Sequence, residues 1–413
     1  MAMTTEPNPA RLAQPDRRRG LRALVAAQGV SSAGDGVFLA AAPLAAAALT
    51  RDPAAVAAVT AAEYLPWVVV APLAGVYVDR WPKRATMIVS DLVRAAAVAA
   101  LAGMVALDVV SVAAIAVCAF VMVAGVAFHS AAAEAVVADL AAEQDELNRA
   151  NGHLQSSYNT GRQLLGPPAG SLAFSAAPWL PFAGDAVSFV ASAALLRAVP
   201  REAAHQRPEG PHQAVWPALR AGAAYLAGHA QLRALATLTA VANLSANMVM
   251  GVLVLFATDR AGLGISTAGY GLLLVALAVG GIAGGAAVSR VIRQFGSRVT
   301  MVGGLAAQGL SWLALAATST PAVAGAALAL AFAGVSMVSV CVVSARQTHT
   351  PPELLGRVIS AFRVVGNGTS PIGALLGGLI ATEWGLRAPL VAAAAVAVAA
   401  LTCVVTFGSL RQR

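Results

Sequence analysis

The chain is 413 residues long, 58% hydrophobic and 11% charged, with a mean hydropathy of +0.73 and a formal net charge of +8 at pH 7. Soluble domains carry about one quarter charged residues, so these values exclude an ordinary soluble protein. Nor does the positive balance indicate a nucleic-acid partner, because it is dispersed through short segments between apolar runs rather than gathered on one face.

Twelve apolar stretches long enough to cross ~30 Å of hydrocarbon are predicted as helices, at 22–49, 54–78, 85–106, 109–131, 156–175, 179–198, 234–257, 268–289, 299–318, 321–344, 358–381 and 387–408. Among the 27 Lys and Arg, only Arg51, Arg260 and Arg387 fall in loops on the outer side. That asymmetry predicts both termini on the cytoplasmic face of the plasma (inner) membrane. The polar start, with Arg17-Arg18-Arg19, has no short apolar region ending in a cleavage site, so no signal peptide is expected. The predicted plan is a cytoplasmic tail at 1–21, a six-helix bundle at 22–198, a cytoplasmic linker at 199–232, a second six-helix bundle at 233–408 and a short tail at 409–413.

On the first span, Gln28, Ser31, Ser32 and Asp35 share one helical face at i, i+3, i+4 and i+7 spacing. A polar stripe at mid-membrane is expected to line a wet substrate cavity. A charge there is expensive, roughly 2.5–3.5 kcal/mol on insertion scales, which marks Asp35 as a candidate for proton binding or for contact with a cationic substrate. The competing reading is a structural acid held by hydroxyls and a backbone amide. On the second span Glu63 is a second candidate for proton coupling, or lies at the outer interface.

The run Gly75-Val76-Tyr77-Val78-Asp79-Arg80-Trp81-Pro82-Lys83-Arg84 is a dense charge cluster between two apolar stretches. So short and basic a hairpin belongs on the inner face. Gly75 permits close helix approach, and Asp79 can accept charge-assisted hydrogen bonds. On the third span Asp91 and Arg94 sit three apart and can pair on one helix face. Together with the loop they are expected to hold an inner gate, with substrate contact as the alternative.

On the fifth span, Gly166-Pro167-Pro168-Ala169-Gly170 predicts close packing and a bend at the junction of the halves, or a packing kink without directional meaning. Arg162 there and Arg363 on the eleventh span are expected to meet an acid or an anionic substrate group, or to extend to the inner surface. Asp185 on the sixth span reads as structural. Residues 199–232 break the apolar pattern; Trp216, Leu219, Ala223, Leu226 and Leu232 would form the apolar face of a helix lying on the inner membrane surface, against a plain loop as the alternative. Asn243 and Asn247 on the seventh span, with Ser336 and Gln347 on the tenth, are softer cavity candidates suited to a bulky, partly apolar ligand, or are simply hydrogen-bonded between helices. Cys118, Cys341 and Cys403 read as small packing residues, and neither they nor the six histidines show metal-ligand spacing. No phosphate-cradling loop and no hydrolase constellation is present, so no cofactor, metal, catalytic residue or enzymatic activity is expected.

The two halves resemble one another. Glu146-Leu147 recurs as Glu353-Leu354, Gly166 and Gly170 as Gly373 and Gly377, and Leu172 as Leu379, all in one register. The basic loop has a looser partner at Arg290, Arg293, Gly296 and Arg298. A duplicated six-helix unit follows.

The spacing G-x-x-x-D-R-x-P-K-R resembles the loop 2–3 signature of the major facilitator superfamily of transporters. The helix 5 run resembles the signature of its drug:proton antiporters, with departures: Arg162 stands where that signature has glycine, Ser171 follows Gly170, and predicted helix 4 carries no arginine. Gly34-Asp35, Leu65-Pro66, Asp91-Leu92 with Arg94, Leu147 to Gly152, Gly184 to Phe189, Gln347 with Pro351, and Gly356-Arg357-Val358 are together similar to the macrolide-efflux and enterobactin-exporter-like branch. The resemblance implies an all-α integral membrane protein of two pseudo-symmetric six-helix bundles. It also implies secondary active export of a small hydrophobic or amphiphilic compound, such as a drug, antibiotic or siderophore, by proton antiport with alternating access. Its expected partners are the substrate, protons and the lipid bilayer, with the chain acting as a monomer. A nutrient importer or symporter, and a non-transporting membrane sensor of the same fold, are the alternatives.

Overall fold

The computed structural model describes residues 14–78, 80–141, 143–200 and 215–409, and no strand occurs among them. The helices are α1 (Gln14–Leu49), α2 (Pro53–Val69), α3 (Ala71–Val78), α4 (Lys83–Ala106), α5 (Val112–Leu140), α6 (Gln144–Asn159), α7 (Gly166–Ala176), α8 (Leu180–Leu195), α9 (Val215–Gly228), α10 (Ala230–Met250), α11 (Leu253–Thr258), α12 (Thr267–Ala317), α13 (Pro321–Thr348), α14 (Pro352–Trp384) and α15 (Ala388–Ser409). The second span is α2 and α3 together, broken at Val70 between Pro66 and Pro72. The fifth is α6, a π-turn at Thr160–Leu165, and α7. The seventh is α10 and α11. The eighth and ninth are the two arms of α12, parted at Gly296 (φ 80°, ψ 159°), a left-handed backbone that only glycine adopts without strain. The expected basic loop at 290–298 is thereby reduced to one non-helical residue.

Several helices outrun the apolar windows that predict them. The 29 residues of α5 make a rod of about 43 Å at 1.5 Å per residue, longer than the hydrocarbon core. Its last turns, where Glu134 and Asp139 interrupt the apolar run, continue the helix beyond the predicted window because Ala132, Val136 and Leu140 pack into the first-half core. Helix starts are set by local chemistry. Asp52 accepts the Ala54 amide at 3.0 Å ahead of Pro53, and Ser111 and Ser266 accept the amides of Ala114 and Gly269, each at 3.2 Å.

Each half is locked by glycines in the expected register. Gly166 and Gly170 lie on the backbone of α1, against the carbonyls of Ala33 and Val37. Gly373 and Gly377 lie on α10, against the carbonyls of Leu244 and Met248. A side chain at any of the four would strike backbone. The fifth span thus packs on the first as the eleventh packs on the seventh, through the small-residue contacts that membrane helices use in place of a hydrophobic drive.

The core is divided. On the side opposite the termini, called here the far side, one continuous apolar cluster joins both halves, from Phe38 and Val59 to Phe256, Leu273 and Leu328. On the side of the termini there are two separate clusters, one around Leu24, Val136 and Leu140 in the first half and one around Leu235, Val342 and Val358 in the second.

Between the halves, α9 differs from the surface helix expected at Trp216 to Leu232. It ends at Gly228, and Leu232 belongs to α10. Gly222 lies against the Arg357 backbone and Leu226 is buried in the second-half cluster, so this face packs on α14, while Ala223 is exposed. The side chains of Trp216 and Leu219, and residues 201–214 of the linker, lie outside the described residues, as do 1–13 and 410–413 of the tails.

Candidate functional site

Two polar constellations and two cavities are found among the described residues. The first is a buried charge cluster inside the first half. Arg94 on α4 pairs with Asp35 on α1, and its Nη1 donates to Ser31 Oγ at 3.2 Å and to Asp91 Oδ1 at 3.3 Å. Asp91 also meets His129 Nδ1 at 2.9 Å and accepts from Ser192 Oγ at 2.6 Å. The Arg94 guanidinium lies over the Phe189 ring, 3.9 Å from its centroid, and Gly125 makes room for its aliphatic stem. Asp185 belongs to the same interior: it accepts from Ser188 Oγ at 3.2 Å and packs on Gly34, and its Oδ2 has no hydrogen-bond partner. Arg94 and Asp91 are 1% and 0% exposed, so this is the inside of a bundle, not the wall of an open cavity.

That placement corrects two sequence expectations. The stripe on α1 does not face a wet cavity: Ser31 is bonded to Arg94, Gln28 Nε2 donates to Ser32 Oγ at 2.8 Å, and all three side chains are buried. Asp91 and Arg94 do pair, but with Asp35 in the bundle interior rather than with the loop. The loop's Lys83 instead reaches Asp139 at the other end of α5, at 2.6 Å. Arg80 is exposed and Trp81 stacks on Phe128 with centroids 6.0 Å apart. Gly75 and Arg84 lie at the end of α3 and the start of α4; Asp79 lies outside the described residues. Asp139, Ser192 and Gly125 escaped the sequence reading because isolated residues carry no periodic signal, and His129 showed there only the lack of metal-ligand spacing.

The second constellation lies where the halves meet. Glu63 on α2 is buried and its Oε1 has no hydrogen-bond partner. Its electrostatic neighbour is Arg162 in the π-turn, and Arg162 in turn has both Asp35 and Glu63 as acidic neighbours. Tyr270, on the second half's α12, is within electrostatic reach of Glu63. The π-turn has an identifiable cause. Pro167 and Pro168 lack the amides that would continue the α-helical ladder, and the Gly166 amide bonds back to Gly161 O. Gly161 lies against the backbone of Ser32 and Ala33, and the Arg162 backbone lies against Gly36, so the widened turn is seated on α1.

Beyond this point the far side is closed. Gly271 on α12 touches Ser171 and the Pro167 carbonyl; Ser175 and Thr267 share a hydrogen bond. Gly378 packs on the start of α2, Thr382 Oγ1 donates to Asp52 Oδ1 at 3.3 Å, and Arg51 meets Asp259 at 3.6 Å. Arg387 binds the carbonyls of Ala316 and Thr318 at the end of α12 and Gly262 O at 3.4 Å, which accounts for a cation on this side. On the side of the termini, a cavity of about 1030 Å³ opens between α1 and α6, lined by Arg17, Arg22, Val30, Arg149, His153 and Ser157 among others.

In the second half a smaller cavity of about 270 Å³ is lined by Thr239, Asn243, Val338, Arg346, Phe362 and Arg363 among others. Asn243 lies there as expected and donates to Gly366 O at 2.9 Å; Asn247 is buried beneath it and donates to Asn243 O at 2.9 Å. Ser336 faces Gly285 on α12, and Gln347 is exposed at the end of α13. These two are not among the cavity's lining residues; Ser339, about one turn from Ser336, and Arg346, next to Gln347, are. Cys118 and Cys341 are free and buried. No group of three metal-ligating side chains comes together among the described residues.

The family model described as Major Facilitator Superfamily matches residues 24–367 and 235–412. No protein of curated function matches the sequence. Among solved structures, the chain is similar to the nucleoside transporter NupG, with TM-score 0.76 and 12% identity over 94% of this chain and 98% of that one. It is similar to a bacterial homologue of the iron transporter ferroportin in its inward-facing state, with TM-score 0.74 and 16% identity over 95% of this chain and 99% of that one. The same homologue in its outward-facing state gives TM-score 0.62 at 16% identity, over 94% and 99%.

Proposed function

The chain belongs to the major facilitator superfamily, and on that premise we propose that it is a proton-driven exporter of a small hydrophobic or amphiphilic compound, working by alternating access across the cell membrane. The observation that carries the reading is Glu63, a buried carboxyl with an oxygen that no donor reaches, beside Arg162 and at the junction of the halves. Asp35 is the weaker proton carrier, because Arg94 already holds it. Glu63 can take up a proton without breaking such a pair. Protonation removes its attraction for Arg162, whose π-turn leads into the helix that contacts α12 across the far-side closure.

The chain shape agrees with one end of the cycle. The joined far-side core, the two separate cores near the termini and the closer likeness to the inward-facing ferroportin homologue all support an inward-open state, with the termini in the cytoplasm. Transport rather than enzymatic turnover also accords with the family.

The test is accumulation of a panel of dyes and antibiotics in efflux-deficient cells expressing the chain, with and without a protonophore. Lower accumulation that the protonophore reverses is expected. Lower accumulation that the protonophore leaves intact would remove proton coupling from the reading.

A further inference from the structure

Among the described residues, two arginines of the second half have no counter-charge in an ion pair. Arg346 on α13 and Arg363 on α14 line the same cavity of about 270 Å³, whose lining contains no Asp or Glu. Among the described residues neither is in an ion pair. Arg346 is half-buried, its guanidinium sits 5.2 Å from the Phe362 ring centroid, and its Nε is buried without an acceptor. The two guanidiniums are close enough to act on one another electrostatically.

This is the reverse of the first half, where Arg94 is paired with the carboxylates of Asp35 and Asp91. Like charges that share a partly buried space destabilise one another unless an anion enters between them. Several neutral donors around the cavity are engaged within the protein: Asn243 Nδ2 with Gly366 O, Gln308 Nε2 with Ala242 O at 3.3 Å, and the Thr239 hydroxyl with Leu235 O at 2.9 Å, while Ser339 and Asn367 add neutral polar groups to the lining. The two arginines are the charged groups among the cavity's lining residues, and guanidinium is suited to bidentate binding of a planar acid or a phosphate. The remaining wall is apolar, from Val335, Val338 and Val342 to Phe362.

We propose that this cavity is the substrate's binding site and that the exported compound is an amphiphilic anion, its acidic group held between Arg346 and Arg363 and its apolar body on the valine wall. The assignment rests on the export reading above and specifies its substrate class. It also divides the labour: the acids for proton coupling lie in the first half and the cations for the substrate in the second.

The test uses two probes with the same apolar body and opposite charge, naphthalene-1-carboxylate and naphthalen-1-ylmethylamine. Their binding to the purified full chain in neutral detergent is measured by equilibrium dialysis. Saturable binding of the carboxylate is expected, weakened about tenfold or more by Arg346→Gln and by Arg363→Gln, with the amine binding less tightly than the carboxylate. Arg363 is exposed, so its variant keeps the test valid if Arg346→Gln fails to fold; the melting temperature of each variant is measured alongside. Equal binding of the amine, no saturable binding of the carboxylate, or unchanged carboxylate affinity in a folded Arg363→Gln protein would overturn the proposal. A lipid headgroup has the same chemistry as the proposed anion. Dialysis is therefore repeated in phosphatidylcholine discs with and without phosphatidylglycerol; displacement of the carboxylate by phosphatidylglycerol would assign the site to lipid and overturn the substrate claim. No gradient is applied, so failure here and failure of proton-driven export are separate results.

Discussion

Arg94 and Asp35, 59 residues apart in the chain, form an ion pair that is almost wholly closed to solvent, and the same guanidinium also serves Ser31 and Asp91. Removing one member of such a pair leaves a buried charge uncompensated, typically at ~3–5 kcal/mol. Arg94→Ala is therefore expected to lower the melting temperature and folded yield in detergent more than Asp35→Asn, because two acids lose their partner instead of one. Arg94→Lys should rescue little, since an ammonium does not reproduce the planar fork. Size-exclusion profiles after heating measure both.

Glu63→Gln removes the titrating group but keeps its size, and Arg162 retains Asp35 as its other acidic neighbour. Gradient-driven export should be lost while the melting temperature stays near that of the parent chain, and substrate exchange without a gradient should persist. Asp35→Asn should lower stability, with any loss of export following the loss of folded protein. Counterflow in proteoliposomes separates the two; an Asp35→Asn protein that is stable yet uncoupled would return the coupling role to Asp35.

The glycine pairs on the fifth and eleventh spans predict a symmetric pattern of intolerance. Gly170→Val and Gly377→Val each place side-chain atoms on a backbone carbonyl and should abolish folded yield. Gly103→Ala meets nothing within 4 Å and sits inside α4. It should be neutral or stabilising by up to ~1 kcal/mol from helix propensity. Yield and melting temperature across the three variants check the claim.

Ser175 and Thr267 face one another across the far-side closure. A Ser175→Cys, Thr267→Cys double variant should form a disulfide under mild oxidation, block transport, and recover when reduced. By contrast, Arg51→Ala, which breaks a largely exposed pair with Asp259, should change stability by ~1 kcal/mol or less.

The fold was legible because lipid imposes it: apolar windows, the short basic loop and a repeated glycine register each follow from solvation or close packing. Helix ends were less legible, since α5 and α14 run on through stretches where charged residues interrupt the apolar pattern. The pairing of Asp91 with Arg94 could be read from their spacing on one helix. The pairing of Arg94 with Asp35, and that of Lys83 with Asp139, depends on which helices become neighbours, and no local pattern states that. The α1 stripe was read correctly as a polar face and wrongly as a cavity wall, because periodicity gives the face of a helix but not what it faces.

The Asp52 carboxylate has two attachments through one oxygen, the Ala54 amide at the start of α2 and the Thr382 hydroxyl at the end of α14. The first holds a helix end within one half; the second crosses to the other half. In the alternating-access cycle proposed above, opening the far side severs only the second, and a hydroxyl that leaves can be replaced by water at little cost. The clasp can then be undone and remade on every cycle without α2 unravelling at its start, so the wear of repeated opening falls on a replaceable bond and not on the secondary structure.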